Sequence, residues 1–152
     1  MGFRCSPAEF QRWVDSGLIP ADEPAVTADP VGGPVACIEV PPSVNNLFLN
    51  RGKFRVKSPK YRAWLERNAM SLGLQLRKPT TFPIRLVITI LGGKGFRRNR
   101  DISNITKAAE DACVFSGLLP DDSVQYVHAV HVSYIDRKTK EPAKCLVRLE
   151  RS

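Results

Sequence analysis

Histidine and cysteine are scarce in this sequence: its 152 residues include two histidines and four cysteines. No two cysteines stand at the close spacing of a zinc motif. His128 and His131 fall in a segment with strand patterning, where residues three apart point to opposite faces. These absences argue against a metal centre built on histidine and cysteine. His128 falls on the apolar side of its segment, where we expect a hydrogen-bonded core histidine.

Long apolar runs are also missing. The most apolar stretch, residues 84–91, is short and contains Arg85, so it predicts a strand and not a membrane span. The first residues do not have the pattern of a secretory signal. We therefore expect free thiols in a reducing cytoplasm and no membrane partner.

Acidic side chains are nearly absent from residues 51–100, which hold fourteen basic residues and the single acid Glu66. Residues 1–40 have the opposite balance, with six acidic and two basic side chains. The net charge of +8 is therefore concentrated after residue 40. A segment of this kind attracts polyanions and favours nucleic acid as a partner. The alternative is a basic surface that only keeps the protein soluble.

A change in composition near Val35 divides the chain into an appendage, residues 1–34, and a main domain, residues 35–152. In the appendage, Ser6 followed by a proline marks the start of a short helix, and residues 19–34 have the composition of a linker. A single short helix cannot bury its apolar side alone. We expect it to dock on the main domain or on a partner.

Apolar periodicity and cap signals predict the elements of the main domain. The order is strand, helix, strand, helix, strand, strand, which favours the α/β (α+β) class: a mixed β-sheet with helices packed against it. An apolar content of 43% is enough for one core of ordinary size. Residues 43–57 are expected to form a polar loop that can include a short hairpin around Gly52. The predicted strands cover residues 35–40, 82–91, 124–134 and 144–150, and the predicted helices residues 58–73 and 101–117.

Residues 101–124 combine carboxylates with a lysine directly after a block of arginines, and they read DISNITKAAEDACVFSGLLPDDSV. Phosphodiester hydrolysis requires an activated water and compensation of the charge on the phosphate. Mg²⁺ supplies much of this when two or more carboxylates hold it, and a nearby lysine adds a point charge. We expect the candidate residues to meet at one end of the sheet. They are Asp101, Lys107, Asp121 and Asp122.

Each of these candidates also has a structural explanation. Asp101 stands before an apolar helix, where an aspartate commonly caps the first turn. The pair Asp121-Asp122 follows a proline, a combination that is typical of a turn. Lys107 and Asp111 are four apart on a predicted helix and would pair on its surface. Their joint occurrence beside the basic run favours the functional explanation.

Two loops carry the residues best suited to binding nucleic acid. The first loop follows a glycine-rich stretch. In the second loop basic residues alternate with others, which predicts a row of basic side chains on one side of an extended hairpin. Two asparagines before that row would position phosphate or metal-bound water, or shape a turn. Phe48 and Phe96 either stack on exposed bases or belong to the core. The predicted nucleic-acid-binding residues are Lys94, Arg97, Arg98 and Arg100 in the first loop, and Asn45, Asn46, Arg51, Lys53, Arg55 and Lys57 in the second.

Taken together, these motifs resemble the RusA family of Holliday junction resolvases, small endonucleases of phages and bacteria. The family's core run is an arginine-rich stretch, the pattern D-x-D-N-x-x-K-A, an alanine-rich helix, a glycine turn and a D-D pair before a strand. Here it stands as RRNRDISNITKAAEDACVFSGLLPDDSV. The upstream PPSVNNLFLNRG, followed by Ser58 and Tyr61, is similar to the family's PPS-x-N-N segment. The resemblance covers about residues 37–150 and leaves out residues 1–34.

The resemblance implies a RusA-like fold and a set of site residues. Asp101 matches the first metal-binding aspartate, Lys107 the essential lysine and Asp122 the third acid, with Asp121 beside it. It also implies a homodimer that binds four-way DNA junctions and makes paired nicks with Mg²⁺, or with Mn²⁺ in its place, in DNA recombination and repair. Two symmetric cuts need two active sites, which is a physical reason for a dimer. The expected location is the cytoplasm of a bacterial or phage-infected cell.

One position departs from the family pattern. Ser103 stands where the family has its second aspartate, and a hydroxyl is a poorer magnesium ligand because it carries no charge. We expect metal affinity to fall unless Asp121 or Asp111 compensates. Two hypotheses follow. One is a magnesium-dependent endonuclease that resolves four-way junctions, and the other is a module that binds branched DNA or structured RNA without cutting it.

Overall fold

The computed structural model of the protein describes Arg12, residues 35–43 and residues 48–151. The predicted helix and linker of the appendage lie outside these ranges, Arg12 excepted, and so do Asn45 and Asn46. Six strands and two helices follow one another in the described residues after Arg12. They are β1 (Ala36–Glu39), β2 (Phe48–Arg51), β3 (Phe54–Lys57), α1 (Pro59–Gln75), β4 (Ile84–Leu91), α2 (Ile102–Phe115), β5 (Val127–Ile135) and β6 (Lys144–Arg151).

Four of the strands form a mixed sheet in the order β1-β6-β4-β5. β6 pairs antiparallel with both β1 and β4, whereas β4 and β5 run parallel and are connected through α2. β2 and β3 form a separate hairpin, and Gly52 in its turn has a φ of 62°, which glycine adopts without strain. The predicted class, a mixed sheet with helices packed against it, is confirmed, and so is the hairpin.

Both helices share a hydrophobic core with one face of the sheet. Ser58 caps α1: its Oγ accepts a hydrogen bond at 3.1 Å from the backbone N–H of Tyr61, and a proline fills the first turn, where its missing donor costs little. Each fully buried leucine or isoleucine stabilises the fold by roughly 1.5–3 kcal/mol. The core includes Tyr61, Trp64, Leu65 and Leu72 of α1, Ile105, Ala109, Ala112 and Cys113 of α2, and Leu86, Ile88, Ile90, Cys145, Val147 and Leu149 of the sheet. Within the described residues, no helix is both long and apolar enough to cross a bilayer.

Strand β5 begins later than its pattern predicts. Residues 124–126 form a turn instead, and Val124 is 82% exposed. The pairing with β4 is irregular where it starts, so that His128 is an extra residue on β5. His128 is exposed, with Nδ1 3.0 Å from the carbonyl oxygen of Ile84. The expected core position of His128 is therefore wrong, because the irregular pairing changes which side chains face the helices.

The β2–β3 hairpin does not present its basic residues on one side. Its register pairs Arg51 with Phe54, and directly paired residues share a face, whereas Arg55 and Lys57 lie on the other face. Lys53 lies in the turn. The prediction of a single row is wrong because the turn interrupts the alternation. All four basic side chains are nevertheless exposed.

Candidate active site

Asp101 caps the N-terminus of α2. Its Oδ1 accepts a hydrogen bond at 2.8 Å from the backbone N–H of Ser103, which satisfies one of the free donors of the first turn. The helix-capping role that the sequence predicts for Asp101 is thus observed. It does not conflict with ligand binding, because Asp101 is exposed and its carboxylate has no side-chain partner among the described residues.

Lys107 lies between two carboxylates. Its Nζ forms ion pairs with Oδ2 of Asp122 and, at 3.3 Å, with Oδ1 of Asp111. Asp111 is one helical turn further along α2, so this pairing follows from helix geometry. Asp122 is fifteen residues away in sequence, in the turn before β5. The ion pair joins two of the residues predicted for the site. We call Lys107, Asp111 and Asp122 the Lys107 cluster.

The Lys107 cluster is connected to the hydrophobic core through Tyr61 of α1. The buried Tyr61 donates a hydrogen bond from its hydroxyl to Oδ2 of Asp111 at 2.8 Å. Burial, and then the neighbouring Asp111, raise the pKa of Tyr61, so the phenol remains a protonated donor at neutral pH. In the sequence, Tyr61 belongs to the segment that is similar to the family's PPS-x-N-N motif. No signal in the sequence relates two residues fifty positions apart.

The charges of the cluster stabilise one another. The hydrogen bond to Asp122 is the main reason that the pKa of Lys107 is raised, and the same bond lowers the pKa of Asp122. Both groups are therefore charged at neutral pH. Glu110, the residue before Asp111, is half-buried, and burial raises the pKa of its carboxyl group while Lys107 opposes the effect. With three acids around one lysine, the local charge favours a cation.

The Asp121-Asp122 pair shapes a turn and also supplies a site residue. Oδ1 of Asp121 accepts a hydrogen bond at 2.8 Å from the backbone N–H of Asp122, the next residue in the turn. Upstream, Gly117 has a φ of 82° just beyond the end of α2, which favours glycine. Asp121 thus orders the turn from which Asp122 reaches Lys107.

Asp101 is not joined to the aspartate pair. No hydrogen bond or ion pair connects it to Asp121 or Asp122 within the described ranges. The reason is the direction of α2, which runs from the end of β4 towards the start of β5. Lys107 lies about 9 Å further along the helix axis than Asp101 and is the residue that contacts Asp122. Of the four residues expected to meet at one end of the sheet, Lys107, Asp121 and Asp122 are joined by hydrogen bonds. Asp101 lies apart from them.

Two arginines of the basic loop, residues 92–100, hold the loop in place. Arg98 forms an ion pair with Asp136 at 2.8 Å, and Nη2 of Arg100 donates to the carbonyl oxygen of Pro42 at 2.9 Å. Their predicted role in phosphate binding would have to compete with these contacts. The structure thus gives both residues a local function.

The remaining cations of the basic loop point to solvent. Lys94 and Arg97 are exposed, and neither has an ion-pair partner among the residues described. Phe96 stacks on Tyr134 with ring centroids 5.4 Å apart and packs against the core, as Phe48 also does. Packing is thus observed for both phenylalanines, and Lys94 and Arg97 are the residues of this loop best placed for a phosphate.

Arg137 fixes the base of the basic loop, a role that sequence reasoning missed. Its side chain is only 2% exposed. Nε donates to the carbonyl oxygen of Gly92 at 2.8 Å, and Nη2 donates to that of Pro142 at 3.1 Å. A lone arginine in a polar turn gives no sequence signal of this kind. The contacts become visible only when the β5–β6 connection folds against the loop.

The acids around α2 suit Mg²⁺ in chemical type but are few in number. Carboxylate oxygens are its preferred ligands, and Mg²⁺ is commonly held by one or two carboxylates together with waters and substrate phosphates. Asp101 and Asp122 are donors of this type, Asp121 is next to Asp122 in sequence, and Asp111 shares Lys107 with Asp122. In the described part of the chain, no group of three or more His, Cys, Asp or Glu side chains is arranged to hold a metal ion. A metal bound here would complete its coordination with waters and substrate phosphates.

No protein-family model matches the sequence, and no curated protein matches it. The resemblance to the RusA family rests on the order and spacing of the motifs in this chain. The features that bear on the function of the chain are therefore the Lys107 cluster and the basic surface around it.

Proposed function

We propose that the protein is a Mg²⁺-dependent, structure-selective DNA endonuclease that cuts four-way junctions. The observation that carries the proposal is the ion pair between Lys107 and Asp122, because the motif requires these two residues to act together although they are fifteen positions apart. Asp101 provides a further carboxylate at the start of the same helix. Carboxylates beside an accessible lysine are the groups that phosphodiester hydrolysis needs.

Each residue has a defined part in this proposal. Asp122, with Asp121 beside it, would hold the metal together with phosphate oxygens of the DNA, and Asp101 would offer a further carboxylate from the start of α2. When bound, Mg²⁺ supplies positive charge to the phosphate and lowers the pKa of a coordinated water. Lys107 contributes a second positive charge, and its raised pKa keeps it protonated. Its side chain is 57% exposed, so a phosphate can approach it.

Exposed cations around the site support binding to a DNA backbone. They lie on both faces of the hairpin, at Arg51, Arg55 and Lys57, and in the basic loop, at Lys94 and Arg97. A surface that is basic in several directions suits a substrate whose arms diverge. Paired nicks across a branch point require two copies of the site, so the proposed active form is a homodimer.

The second candidate function is a module that binds branched DNA or structured RNA without cutting it. Two observations favour it. Ser103 stands where a further carboxylate would serve the metal and donates only its backbone N–H to the cap. The described residues also lack a group of three metal-binding side chains. The two candidates differ in one measurable property, which is hydrolysis.

A cleavage assay separates these functions. The full chain is incubated with a labelled four-way junction and a linear duplex of the same sequence, in Mg²⁺, Mn²⁺ or EDTA. We expect paired, metal-dependent nicks in the junction alone. Asp122→Asn should slow cleavage by about a hundredfold, because it removes both a metal ligand and the partner of Lys107, while junction binding is retained.

The matched control is Glu39→Gln, which neutralises an acid of β1 outside the Lys107 cluster, one that forms an ion pair with the exposed Arg67, and should cleave at the wild-type rate. Cleavage by Asp122→Asn at the wild-type rate would contradict the role of that residue. Binding of the junction without nicks in either metal would support the second candidate. In that case, a return of cleavage in Ser103→Asp would identify the missing carboxylate as the cause.

A further inference from the structure

A groove of about 410 Å³ lies between the β2–β3 hairpin and the first turns of α1. Its volume falls in the range of small-ligand sites. The groove shares no residue with the Lys107 cluster. Its lining combines the apolar residues Leu49, Val56, Pro59 and Ala63 with the basic residues Arg51, Lys57 and Arg62 and the acid Glu66.

The basic residues of the groove are available to a ligand. Arg51, Lys57 and Arg62 are exposed, and none of them has an ion-pair partner among the residues that the structure describes. Three positive charges and one negative charge leave the lining with a net charge of +2. Like charges around one groove repel one another, so a bound anion relieves the repulsion.

The apolar part of the groove is also exposed. Leu49 and Val56 are paired across the hairpin and are 42% and 36% exposed. Phe54 lies on the same hairpin face, where it is paired with Arg51, and is 76% exposed. An aromatic ring and two aliphatic side chains next to unpaired cations match a ligand with one flat apolar part and one anionic part.

We propose that this groove binds an unpaired nucleotide of single-stranded nucleic acid. The phosphate contacts Arg51 and Arg62, and the base packs on Leu49 and Val56 and stacks on Phe54. The base must be unpaired because neighbouring bases cover both of its faces in a duplex. The groove is therefore selective for single strands, unlike the general basic surface, which attracts any polyanion. This inference does not depend on cleavage at the Lys107 cluster.

The test is a fluorescence anisotropy titration of the full chain against a short labelled oligothymidylate, its oligouridylate counterpart and a duplex of equal length. We expect Phe54→Ala to weaken oligothymidylate binding about fivefold by removing a stacking platform. Arg62→Gln should weaken it about tenfold by removing a charged contact to phosphate. Duplex affinity should change less than twofold in either variant. The oligouridylate arm determines whether the groove distinguishes RNA from DNA.

Lys60→Gln is the matched control, because it removes the same charge from the same turn of α1 but does not line the groove. We expect it to bind oligothymidylate as the wild type does. Equal losses in Arg62→Gln and Lys60→Gln, or equal losses for single strand and duplex, would overturn the proposal in favour of a non-selective basic surface. Lys107→Ala should retain single-strand binding, so failure of the endonuclease proposal and failure of this one give different results.

Discussion

Tyr61 shows how one buried residue can hold a surface site in place. Its ring belongs to the core, and its hydroxyl donates to Asp111, which in turn pairs with Lys107. The position of the lysine ammonium is therefore tied to the packing between α1 and α2. A carboxylate on an exposed helix face would otherwise sample several rotamers, because nothing but water would contact it.

Replacement of Tyr61 by phenylalanine should reduce stability without changing the fold. The substitution removes a hydrogen bond to a carboxylate, which contributes about 1.5–3 kcal/mol. Urea unfolding of Tyr61→Phe is the measurement. Tyr134→Phe is the control, since the exposed Tyr134 donates to Asp136 at a longer 3.2 Å and should cost less. Equal losses in the two variants would mean that the contact with Asp111 has no special strength.

The ion pair of Lys107 with Asp122 should stabilise the protein only within a window of pH. The pKa of Asp122 is lowered on folding, so its contribution is lost as pH falls through the lowered value. The pKa of Lys107 is raised, so its contribution is lost as pH rises through the raised value. Because both groups are partly exposed, the pair contributes no more than about 1 kcal/mol between these limits.

The measurement is urea unfolding of the wild type and Asp122→Asn over a series of pH values. The variant should be less stable near neutral pH, and the difference should shrink in strong acid and in strong base. A difference that persists unchanged in acid would mean that the shape of the Asp121-Asp122 turn, and not the charge of Asp122, is responsible.

At the scale of elements, the basic loop is packed closely against the β5–β6 connection. A Cβ atom on Gly93 would lie 2.5 Å from the carbonyl oxygen of Glu141 and 2.8 Å from the backbone nitrogen of Ala143. Both are main-chain atoms, which cannot move aside as a side-chain tip can. A glycine is thus required at this position by contact and not by its φ angle.

Gly93→Ala should therefore destabilise the protein by about 1–3 kcal/mol, as overpacking typically does. The same substitution at Gly73 is the control, since that residue lies within α1 and a Cβ there would contact nothing within 4 Å. Gly73→Ala should stabilise the protein by about 0.5–1 kcal/mol through helix propensity. Thermal unfolding of the two variants should shift in opposite directions, and shifts of the same sign would contradict this account.

Local rules in the sequence account for most of the elements. Apolar alternation and cap residues predict β4, β6 and both helices, because these depend on neighbours within one turn or one strand pair. They fail for β5, where the irregular pairing at His128 is decided by β4, and for the hairpin row, where the turn reverses the alternation. In the site, the approach of Lys107 to Asp122 is foreseen by motif spacing, whereas Tyr61 and Arg137 act through contacts across the fold.

At the scale of the whole molecule, exposed positive charge should govern binding to DNA. A cation that neutralises a phosphate releases a counterion, so each such contact contributes about −0.9 to the slope of log affinity against log salt. Arg97 is exposed and has no ion-pair partner in the described part of the chain, so Arg97→Gln should make the slope about 0.9 less steep.

The salt dependence is measured by anisotropy with a four-way junction. Arg67→Gln is the control because Arg67 already pairs with Glu39 at 3.2 Å, and it should leave the slope unchanged. Equal changes in both variants would indicate that net charge alone, and not the position of Arg97, determines affinity. The stoichiometry of the complex, measured in the same experiment, tests the expected homodimer.

Arg137 has a consequence for the energetics of the loop it anchors. Its guanidinium bonds the carbonyl oxygens of Gly92 and Pro142 from a buried position, so the stem of the basic loop is already ordered in the free protein. A preordered stem loses little conformational entropy when Lys94 and Arg97 close on a phosphate. An arginine that never touches the ligand can thus raise the affinity of those that do.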